Sequence, residues 1–498
     1  MKRYRPYSPE QAFLLPPSPQ EWLAEGHLAY FVLDLVTELD LGEIELVLQS
    51  KDARGERPYS PRMMVAMLLY GYATGVISSR KLERATYDDV AFRVLAAGEH
   101  PHFTSINEFR DRHRHALAGL FDQLLQECMS AGLVKLGHVA IDGTKMKANA
   151  SKHKAMSAER MDQAETRLTS EIDAYFELAK KIDADEDARY GAGEQAHDLP
   201  AELRRREDRL AKIREVRAAL KKETESARAE EHVQQADQLR TVAARSTTSV
   251  KKQGEFATLA ALHDQHAGEL IDKHDDDEPP PPSADDDLPR NTPPKRPDGS
   301  PKPTAQRNFT DADSRIMMRD GAFLQAYNGQ IAVDESPHQI IVAAGLSNQA
   351  PDAEYFRPVL ERVVENCGVA PDRVTADSGY FSAANVRAAE HLGAEPFISV
   401  GKHRNDGELD VAVIANRTTP ERLAMADVLA TERGRAVYAR RKATVEPVFG
   451  QIRICQNYQH VSFRGLLKNR LEWLFVCATH NLRKLWRATR RSALLVAG

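Results

Sequence analysis

A chain of 498 residues is too long for one compact domain, and its hydrophobic fraction of 42% can fill more than one core. No apolar run is long enough to cross a membrane, and the N-terminus lacks the apolar segment of a secretory signal. Its four cysteines lie far apart without a CxxC pair, which argues against a zinc ribbon or a disulfide framework. We therefore expect a cytoplasmic protein of two or three domains.

The net charge of −5 conceals a strong segregation of charge along the chain. Between Glu432 and Gly498 there are fourteen Lys and Arg residues against three Glu residues. The compensating acidic residues are concentrated in one stretch, between Asp272 and Asp287. A strongly basic segment in an acidic chain is typical of a DNA-binding surface, although a solvated helix face has the same composition.

Residues 1–135 are predicted to form a helical domain. Pro61 follows Ser60 as a first-turn proline follows a cap, and the apolar run MMVAMLLYGYATGV comes next. Short helices joined by tight turns favour a helix-turn-helix-like DNA reader, whereas an ordinary helical bundle with a polar outer face fits the same periodicity. The last predicted helix of this domain carries three candidate DNA-binding residues: Arg110, Arg112 and Arg114.

A strand is predicted at residues 136–142, within the first part of a core at 136–155, and the chain then changes character. Residues 156–240 are highly charged, with apolar residues at helical spacing on both sides of the loop-like segment YGAGEQAHDLP. This pattern predicts an antiparallel pair of long helices, a coiled-coil hairpin with a structural or dimeric role. Residues 241–305 contain the acidic run and many prolines, so we expect a disordered linker rather than a metal site.

From residue 306 to 490 the signals for strands and helices alternate. The segments FLQAYNGQIAV, QIIVAA, VTAD and EPFISV have the composition of strands, and Asp352 is expected to cap the helix AEYFRPVLERVVENC. The basic C-terminal part is predicted to be helical with a break near SFRG, and Trp473 and Trp486 are interpreted as packing residues. The whole pattern predicts a mixed α/β layer fold, split by the charged insertion.

Three carboxylates stand out by their positions. Asp142 ends the predicted strand in AIDGTK, and Asp377 ends another in VTADSGY, at the strand ends where α/β sheets bind ligands. Glu446 precedes Pro447, which is expected to break the helix there and turn Glu446 towards the sheet. Converging carboxylates repel one another unless a cation is present, and Mg²⁺ or Mn²⁺ suits such oxygen ligands. A simple turn residue is the alternative interpretation for each aspartate.

Four segments, taken in order, resemble the DDE transposases of bacterial insertion sequences. They are AIDGTKMKANAS, QRNFTDADSRIMMRDGAFLQAYNGQIAVD, VTADSGYF and RKATVEPVFGQIR. The closest likeness is to the group with an InsH-like N-terminal domain and a charged helical insertion in the catalytic core. The likeness covers residues 15–155 and 304–490, and the insertion matches in kind.

The resemblance implies an α/β fold with an all-α N-terminal domain and an RNase H-like mixed-sheet core, interrupted by the coiled-coil hairpin. It implies that Asp142, Asp377 and Glu446 form a catalytic triad that binds Mg²⁺ or Mn²⁺. It also implies DNA contacts by Lys442 and Arg453, the basic residues four positions before Glu446 and seven after it.

Two positions leave questions open. Family members commonly have a tyrosine seven residues before the glutamate, where this chain has Ala439, while Tyr438 is one position away. The resemblance therefore does not decide whether a hairpin forms at the cut DNA end. Lys145, just after Asp142, is a candidate phosphate contact or simply a surface lysine.

The resemblance predicts a transposase that binds terminal inverted repeats, hydrolyses DNA at the element's ends and joins the 3′-hydroxyl ends to target DNA. We expect a homodimer or larger synaptic assembly at the bacterial nucleoid, with no membrane partner and no small-molecule substrate. Two alternatives remain: a nuclease of the same fold without strand transfer, and a catalytically inactive or domesticated DNA-binding protein.

Overall fold

The protein has an all-helical N-terminal region, a mixed α/β core and a helical insertion within that core. The computed structural model describes residues 19–49, 57–190, 201–245, 250–271, 288–401 and 419–497. The predicted loop at 191–200 and the acidic run at 272–287 lie outside these ranges. Within them, no helix is both long and apolar enough to span a membrane.

The helices between Leu28 and Ser130 pack into one hydrophobic core that continues into the α/β region. Pro61 occupies the first turn of the third of them, after Ser60, and that helix is buried along most of its length. The last predicted helix of the domain, which carries Arg110, Arg112 and Arg114, is interrupted at His113, and a new helix starts there. In chain order these helices are α1 (Leu28–Glu38), α2 (Gly42–Gln49), α3 (Pro61–Thr74), α4 (Ser79–Asp88), α5 (Val90–Leu95), α6 (Phe103–Arg112) and α7 (Arg114–Ser130).

One mixed sheet forms the centre of the core, and a separate two-stranded ribbon lies beside it. The strands are β1 (Val139–Lys147), β2 (Ala155–Ser157), β3 (Gln306–Asn308), β4 (Arg315–Arg319), β5 (Ala322–Asp334), β6 (Ile341–Ser347), β7 (Arg373–Ala376) and β8 (Glu395–Ile398). The order across the sheet is β4–β5–β1–β7–β8, and β6 also pairs with β5. β5 is antiparallel to its neighbours, whereas β1, β7 and β8 are parallel.

The sequence predicts Asp142 at the end of the first strand, but Asp142 lies inside β1. The strand continues to Lys147 because β5 pairs with it along its whole length. On the other side, β7 pairs only with Val139 and Ala140. Beyond Ala140 this side of β1 therefore has no paired strand, and the Asp142 segment lines an open edge of the sheet.

The helical insertion leaves and re-enters the core through the β2–β3 ribbon, whose strands pair with each other. It contains α8 (Ala158–Tyr190), α9 (Ala201–Ala243) and α10 (Val250–Ile271). α8 and α9 pack through apolar residues at the predicted helical spacing, among them Met161, Leu168, Ile213 and Leu220.

Part of the predicted linker is instead ordered. Residues 250–271 form α10, because Ala267 and Leu270 pack against Ala229 of α9 in a small apolar cluster. The proline-rich segment after residue 287 is also held in place, since Lys295 pairs with Glu231 of α9 at 2.7 Å. The composition favoured disorder, but these contacts with α9 override it.

Among the described residues, five further helices belong to the core. They are α11 (Phe356–Cys367), α12 (Ala383–Leu392), α13 (Pro420–Ala430), α14 (Glu432–Ile454) and α15 (Leu466–Ala497). The interruption between α14 and α15 includes the predicted break near SFRG. Trp473 in α15 is fully buried against the sheet, and its indole Nε1 donates to the Gln330 carbonyl at 3.3 Å. Its role in packing agrees with the sequence.

The predicted break at Pro447 is wrong, because α14 runs through this proline without interruption. A proline inside a helix has no N–H, so the carbonyl four residues earlier loses its usual partner. That carbonyl belongs to Ala443, and the Gln339 side chain donates to it at 3.0 Å. A residue from the β5–β6 connection thus supplies the missing hydrogen bond and makes the proline tolerable.

Candidate active site

Asp142 and Asp377 meet at the open edge of the sheet where β7 ends. The parallel register pairs Ala140 with Thr375, and Asp142 and Asp377 each lie two residues further along their chains. The Asp377 carboxylate caps the turn after β7, with its Oδ1 accepting from the Gly379 backbone N–H at 2.8 Å. This cap orients the Asp377 carboxylate at the end of β7, whereas Asp142 is positioned by the pairing of β1 with β5.

Arg441 of α14 is the cationic partner of Asp142. Its Nη1 donates to Asp142 Oδ2 at 2.8 Å, and only 8% of the Arg441 side chain is exposed. The pKa of Asp142 is raised to about 6. Burial is the largest cause, the Arg441 guanidinium opposes it, and the Asp377 carboxylate adds to it. Two carboxylates so placed favour a positive charge between or beside them, and in this structure Arg441 provides it.

Glu446 lies on an exposed side of α14, away from the buried Arg441. Seven residues make about two helical turns, so Glu446 and Arg453 share a side of the helix. Arg453 donates to the Thr144 hydroxyl, close to Asp142, and Lys442 is exposed one turn before Glu446. Across the described ranges, no three His, Cys, Asp or Glu side chains are arranged to hold a metal ion. The predicted triad is therefore not assembled as a metal site in this structure.

Asp352 organises the opposite wall of the site. It makes no side-chain cap to the helical turn after it, contrary to the sequence expectation. Its Oδ1 instead accepts from Lys145 Nζ at 3.0 Å, Asn328 Nδ2 at 2.7 Å and Gln330 Nε2 at 3.0 Å. Lys145 also donates to the Ala350 carbonyl at 2.6 Å. Lys145, the candidate phosphate contact, is therefore part of this wall.

Gly143, next to Asp142 in β1, packs directly against this wall. A Cβ atom at Gly143 would lie 2.5 Å from Gln330 Nε2 and 3.1 Å from both Asp352 Oδ1 and the Tyr380 hydroxyl. A side chain therefore cannot fit without displacing the network. Burial, and after it the negative charge of the surrounding aspartates, raises the pKa of the Tyr380 hydroxyl well above its usual value. Tyr380 is thus a neutral donor, and it donates to Gln330.

The three predicted N-terminal DNA contacts have different environments. Arg110 is only 7% exposed and donates to Glu472 Oε1 at 3.0 Å, alongside the Tyr72 hydroxyl. This burial does not agree with a DNA contact by Arg110, because its guanidinium joins the N-terminal region to α15. Arg112 is exposed, and Arg114 is half-buried and pairs with Asp111 at 2.8 Å.

Comparison with known families agrees with this arrangement. Residues 18–112 match a transposase domain (DUF772), and residues 400–486 match a transposase DDE domain. The resemblance to DDE transposases of insertion-sequence type is confirmed. No curated protein and no solved structure matches the chain. The second match includes α13 and α14, and with them the stretch that carries Arg441, Glu446 and Arg453.

Three residues of the candidate site escaped the sequence analysis: Arg441, Asp352 and Gln330. Arg441 lies next to Lys442 in the run ARRK. Because a helix break was expected at Pro447, the sequence did not predict the continuous helix that orients Arg441 towards Asp142. Asp352 lies in the polar loop SNQAPD, where a cap to the next helix was the simplest interpretation. Gln330 is one of several buried polar residues in β5, with Gln325 and Asn328 nearby, and this cluster was the available signal.

Proposed function

We propose that the chain is a DNA transposase that binds terminal inverted repeats, cleaves the element's ends by metal-assisted hydrolysis and joins the 3′-hydroxyl ends to target DNA. The observation that carries the proposal is the meeting of Asp142 and Asp377 at an open sheet edge beneath α14. It carries weight because both flanking regions, residues 18–112 and 400–486, match transposase domains. DNA transposition requires phosphoryl transfer, for which paired carboxylates at an accessible edge are suited.

The proposed domain organisation follows from the same elements. Residues 1–135 form the DNA-binding domain, and residues 136–155 with 306–490 form a split core of RNase H-like type. The strand order supports this, because three antiparallel strands, β6, β5 and β1, are followed by the parallel strands β7 and β8. α8 and α9 form the predicted coiled-coil hairpin. Since two DNA ends must be held together, we propose a homodimer in the synaptic complex, with this hairpin as a candidate contact.

The residues at the sheet edge fit a divalent cation. Asp142 and Asp377 supply hard oxygen ligands, which suit Mg²⁺ or Mn²⁺, and their mutual charge already requires compensation. Asp142, Asp377 and Glu446 are the residues that would hold the ion. When bound, such an ion activates water and neutralises charge on the phosphate. The exposure of Glu446 leaves it accessible from the solvent side, where DNA would approach.

The basic residues near this edge would position the DNA backbone. Arg453 lies beside Thr144, and Lys442 is exposed on the same side of α14 as Glu446. Such contacts to phosphate orient a duplex without reading its sequence. Arg112 and Arg114 of the N-terminal region are the remaining candidates for binding the repeats. Lys145 belongs instead to the wall held by Asp352, and its contribution to DNA binding is through the shape of that wall.

The proposal is tested with labelled duplex DNA carrying the sequence that flanks the gene, incubated with the protein and Mg²⁺. We expect cleavage at the end of the repeat, followed by joined products with an unlabelled target duplex. Cleavage without joined products would favour the nuclease. Specific binding without any cleavage in Mg²⁺ or Mn²⁺ would favour a DNA-binding protein and would contradict the proposal.

A further inference from the structure

The tip of the β4–β5 hairpin is an unusual surface for a sheet that is otherwise well covered. Three large apolar side chains are exposed there: Ile316 by 40%, Met318 by 62% and Phe323 by 60%. Met318 lies directly opposite Phe323 in the antiparallel register, so their side chains stand on the same face. We call these three side chains the hairpin tip surface.

The hairpin holds this surface rigidly. Asp320 and Gly321 form its two-residue connection, and both have positive φ, at 52° and 76°. Positive φ at both central residues is the signature of a type I′ turn, whose twist matches that of the flanking strands. The apolar side chains are therefore presented by a preorganised ribbon and not by a loose loop.

The hairpin tip surface lies on the same face of the sheet as Asp142. Residues paired across neighbouring strands share a face, and alternate residues along one strand do so as well. Asp142 pairs with Ile331 of β5, and Phe323 lies an even number of residues away from Ile331 along that strand. A duplex placed over Asp142 and extending along β5 would therefore approach the hairpin tip surface.

Positive charge accompanies the apolar side chains. Arg319, at the end of β4, donates from Nη1 to the Lys145 carbonyl at 3.1 Å. Arg453 donates to the hydroxyl of the neighbouring residue, Thr144. Two guanidinium groups thus converge on adjacent residues of β1. Burial lowers the pKa of Arg453, and the positive charge of Arg319 lowers it further, which indicates that the two groups are close. Asp320, whose Oδ2 lies 3.6 Å from Arg319 Nε, offsets part of this repulsion, and a phosphate would offset more of it.

The chemistry of the surface favours DNA over a second copy of the chain. Three side chains cannot supply the roughly 800 Å² per partner that a specific protein interface usually buries. The flanking guanidinium groups match the charge of a phosphate backbone. In DNA, the large apolar surfaces are the faces of the bases, which become available when a protein wedge separates two neighbouring base pairs.

We propose that the hairpin tip surface inserts Met318 and Phe323 between base pairs of the bound DNA end, while Arg319 and Arg453 hold the adjacent backbone. This inference rests on the proposed function, because it takes the DNA end as the ligand. It adds a DNA-deforming element near Asp142 that lies outside the two stretches matched by transposase domains.

The test uses the full chain and repeat duplexes in which 2-aminopurine replaces one base at successive positions. This base fluoresces more strongly when it is unstacked. We expect wild type to raise the fluorescence several-fold at one or two neighbouring positions. Met318→Ala/Phe323→Ala should abolish the rise, while a binding assay in the same buffer shows that the variant still forms the complex.

Val369→Ala is the matched control, because Val369 is also an exposed apolar residue, at 57%, but lies after α11, away from the hairpin. It should leave the fluorescence rise unchanged, and thermal unfolding should show that all variants fold.

An unchanged rise in the double variant, or no rise in a wild-type complex that cleaves DNA, would overturn the wedge and leave the proposed function intact. Failure of wild type to bind or cleave the repeat would overturn both. If the double variant only changed the protein's size in light scattering, the surface would belong to self-association.

Discussion

The guanidinium of Arg441 is 2.8 Å from the Oδ2 atom of Asp142, at the position where a cation would neutralise this carboxylate. The two groups come from α14 and β1, 299 residues apart in sequence. Their contact means that a divalent cation must compete with a side chain of the protein itself. The DNA-free protein is therefore expected to bind metal more weakly than its carboxylates alone would allow.

Replacing Arg441→Met should strengthen metal binding by the DNA-free protein. A hydrogen bond to a charged group contributes about 1.5–3 kcal/mol, so its loss should raise the affinity on the order of tenfold or more. Mn²⁺ binding measured by electron paramagnetic resonance checks this without any need for catalysis. Lys442→Met removes the same charge from the neighbouring, exposed position and should have little effect. An equal gain in both variants would mean that only the overall charge matters.

Asp352→Ala should destabilise the fold strongly. The substitution removes the charged acceptor that Lys145, Asn328 and Gln330 share. Lys145 and Asn328 keep bonds to backbone carbonyls, but Gln330 Nε2 loses its acceptor. We expect a loss of about 3 kcal/mol in the free energy of unfolding. Glu354→Ala, two residues later and exposed, should change it by less than about 0.5 kcal/mol. Urea unfolding of both variants is the measurement. Similar effects at the two positions would show that the network around Asp352 contributes little.

Gly143→Ala should damage both stability and DNA cleavage. The new methyl group would lie 2.5 Å from Gln330 Nε2, so it must displace the wall next to Asp142. Overpacking of this kind costs about 1–3 kcal/mol.

Gly119→Ala is the control for Gly143→Ala. Gly119 lies in α7, and a Cβ atom there has no neighbour within 4 Å. The exchange should stabilise the helix by about 0.5–1 kcal/mol. Thermal unfolding and the cleavage assay together separate the two cases. Normal cleavage by the Gly143→Ala protein would show that the site tolerates a displaced wall.

His480 should make the fold less stable in mild acid. Its Nε2 donates to the Gln339 carbonyl at 3.1 Å, and burial, together with Lys484, lowers the pKa of His480 to about 3. An unfolded histidine gains a proton below a pH of about 6.5. Between these two values only the unfolded state binds the proton, so stability is full above the upper value and is lost as the pH falls. One such group contributes a slope of about 1.4 kcal/mol per pH unit.

His480→Gln should remove this component of the slope, even if the variant is less stable at neutral pH. Urea unfolding at several pH values between 7.5 and 4.5 measures it. His391→Gln, on the exposed side of α12, should leave the slope as in wild type. A slope that survives in the His480→Gln protein would assign the acid sensitivity to other groups.

Local patterns predicted much of the fold. The strands around Asp142 and Asp377 were foreseen from short segments, whereas the parallel pairing that brings them to a common edge was not, because it joins distant parts of the chain. Helices such as α8 and α9 were foreseen from apolar spacing alone. The path of α14 was not, because the effect of Pro447 depends on Gln339, more than a hundred residues earlier, donating to a freed carbonyl. The order of α10 likewise depends on contacts with α9.

The site shows the same division. The strands that carry Asp142 and Asp377 follow from local sequence, whereas Arg441 reaches Asp142 only through the rotation of α14 on the sheet. Asp352 has the composition of a helix cap, but the three donors around it come from β1 and β5. Arg110 resembles a surface arginine in its own helix, and its burial depends on Glu472 of α15. Such long-range partners have no local signal.

The proposed catalytic role of Asp142, Asp377 and Glu446 is tested most directly by product formation on repeat DNA. Wild type should yield cleaved and joined products with Mg²⁺, and each of Asp142→Ala, Asp377→Ala and Glu446→Ala should yield neither while still binding the DNA. Asp372→Ala, which removes an exposed carboxylate just before β7, should behave as wild type. Joined products from any of the three variants, at the wild-type level, would contradict the assignment of that residue.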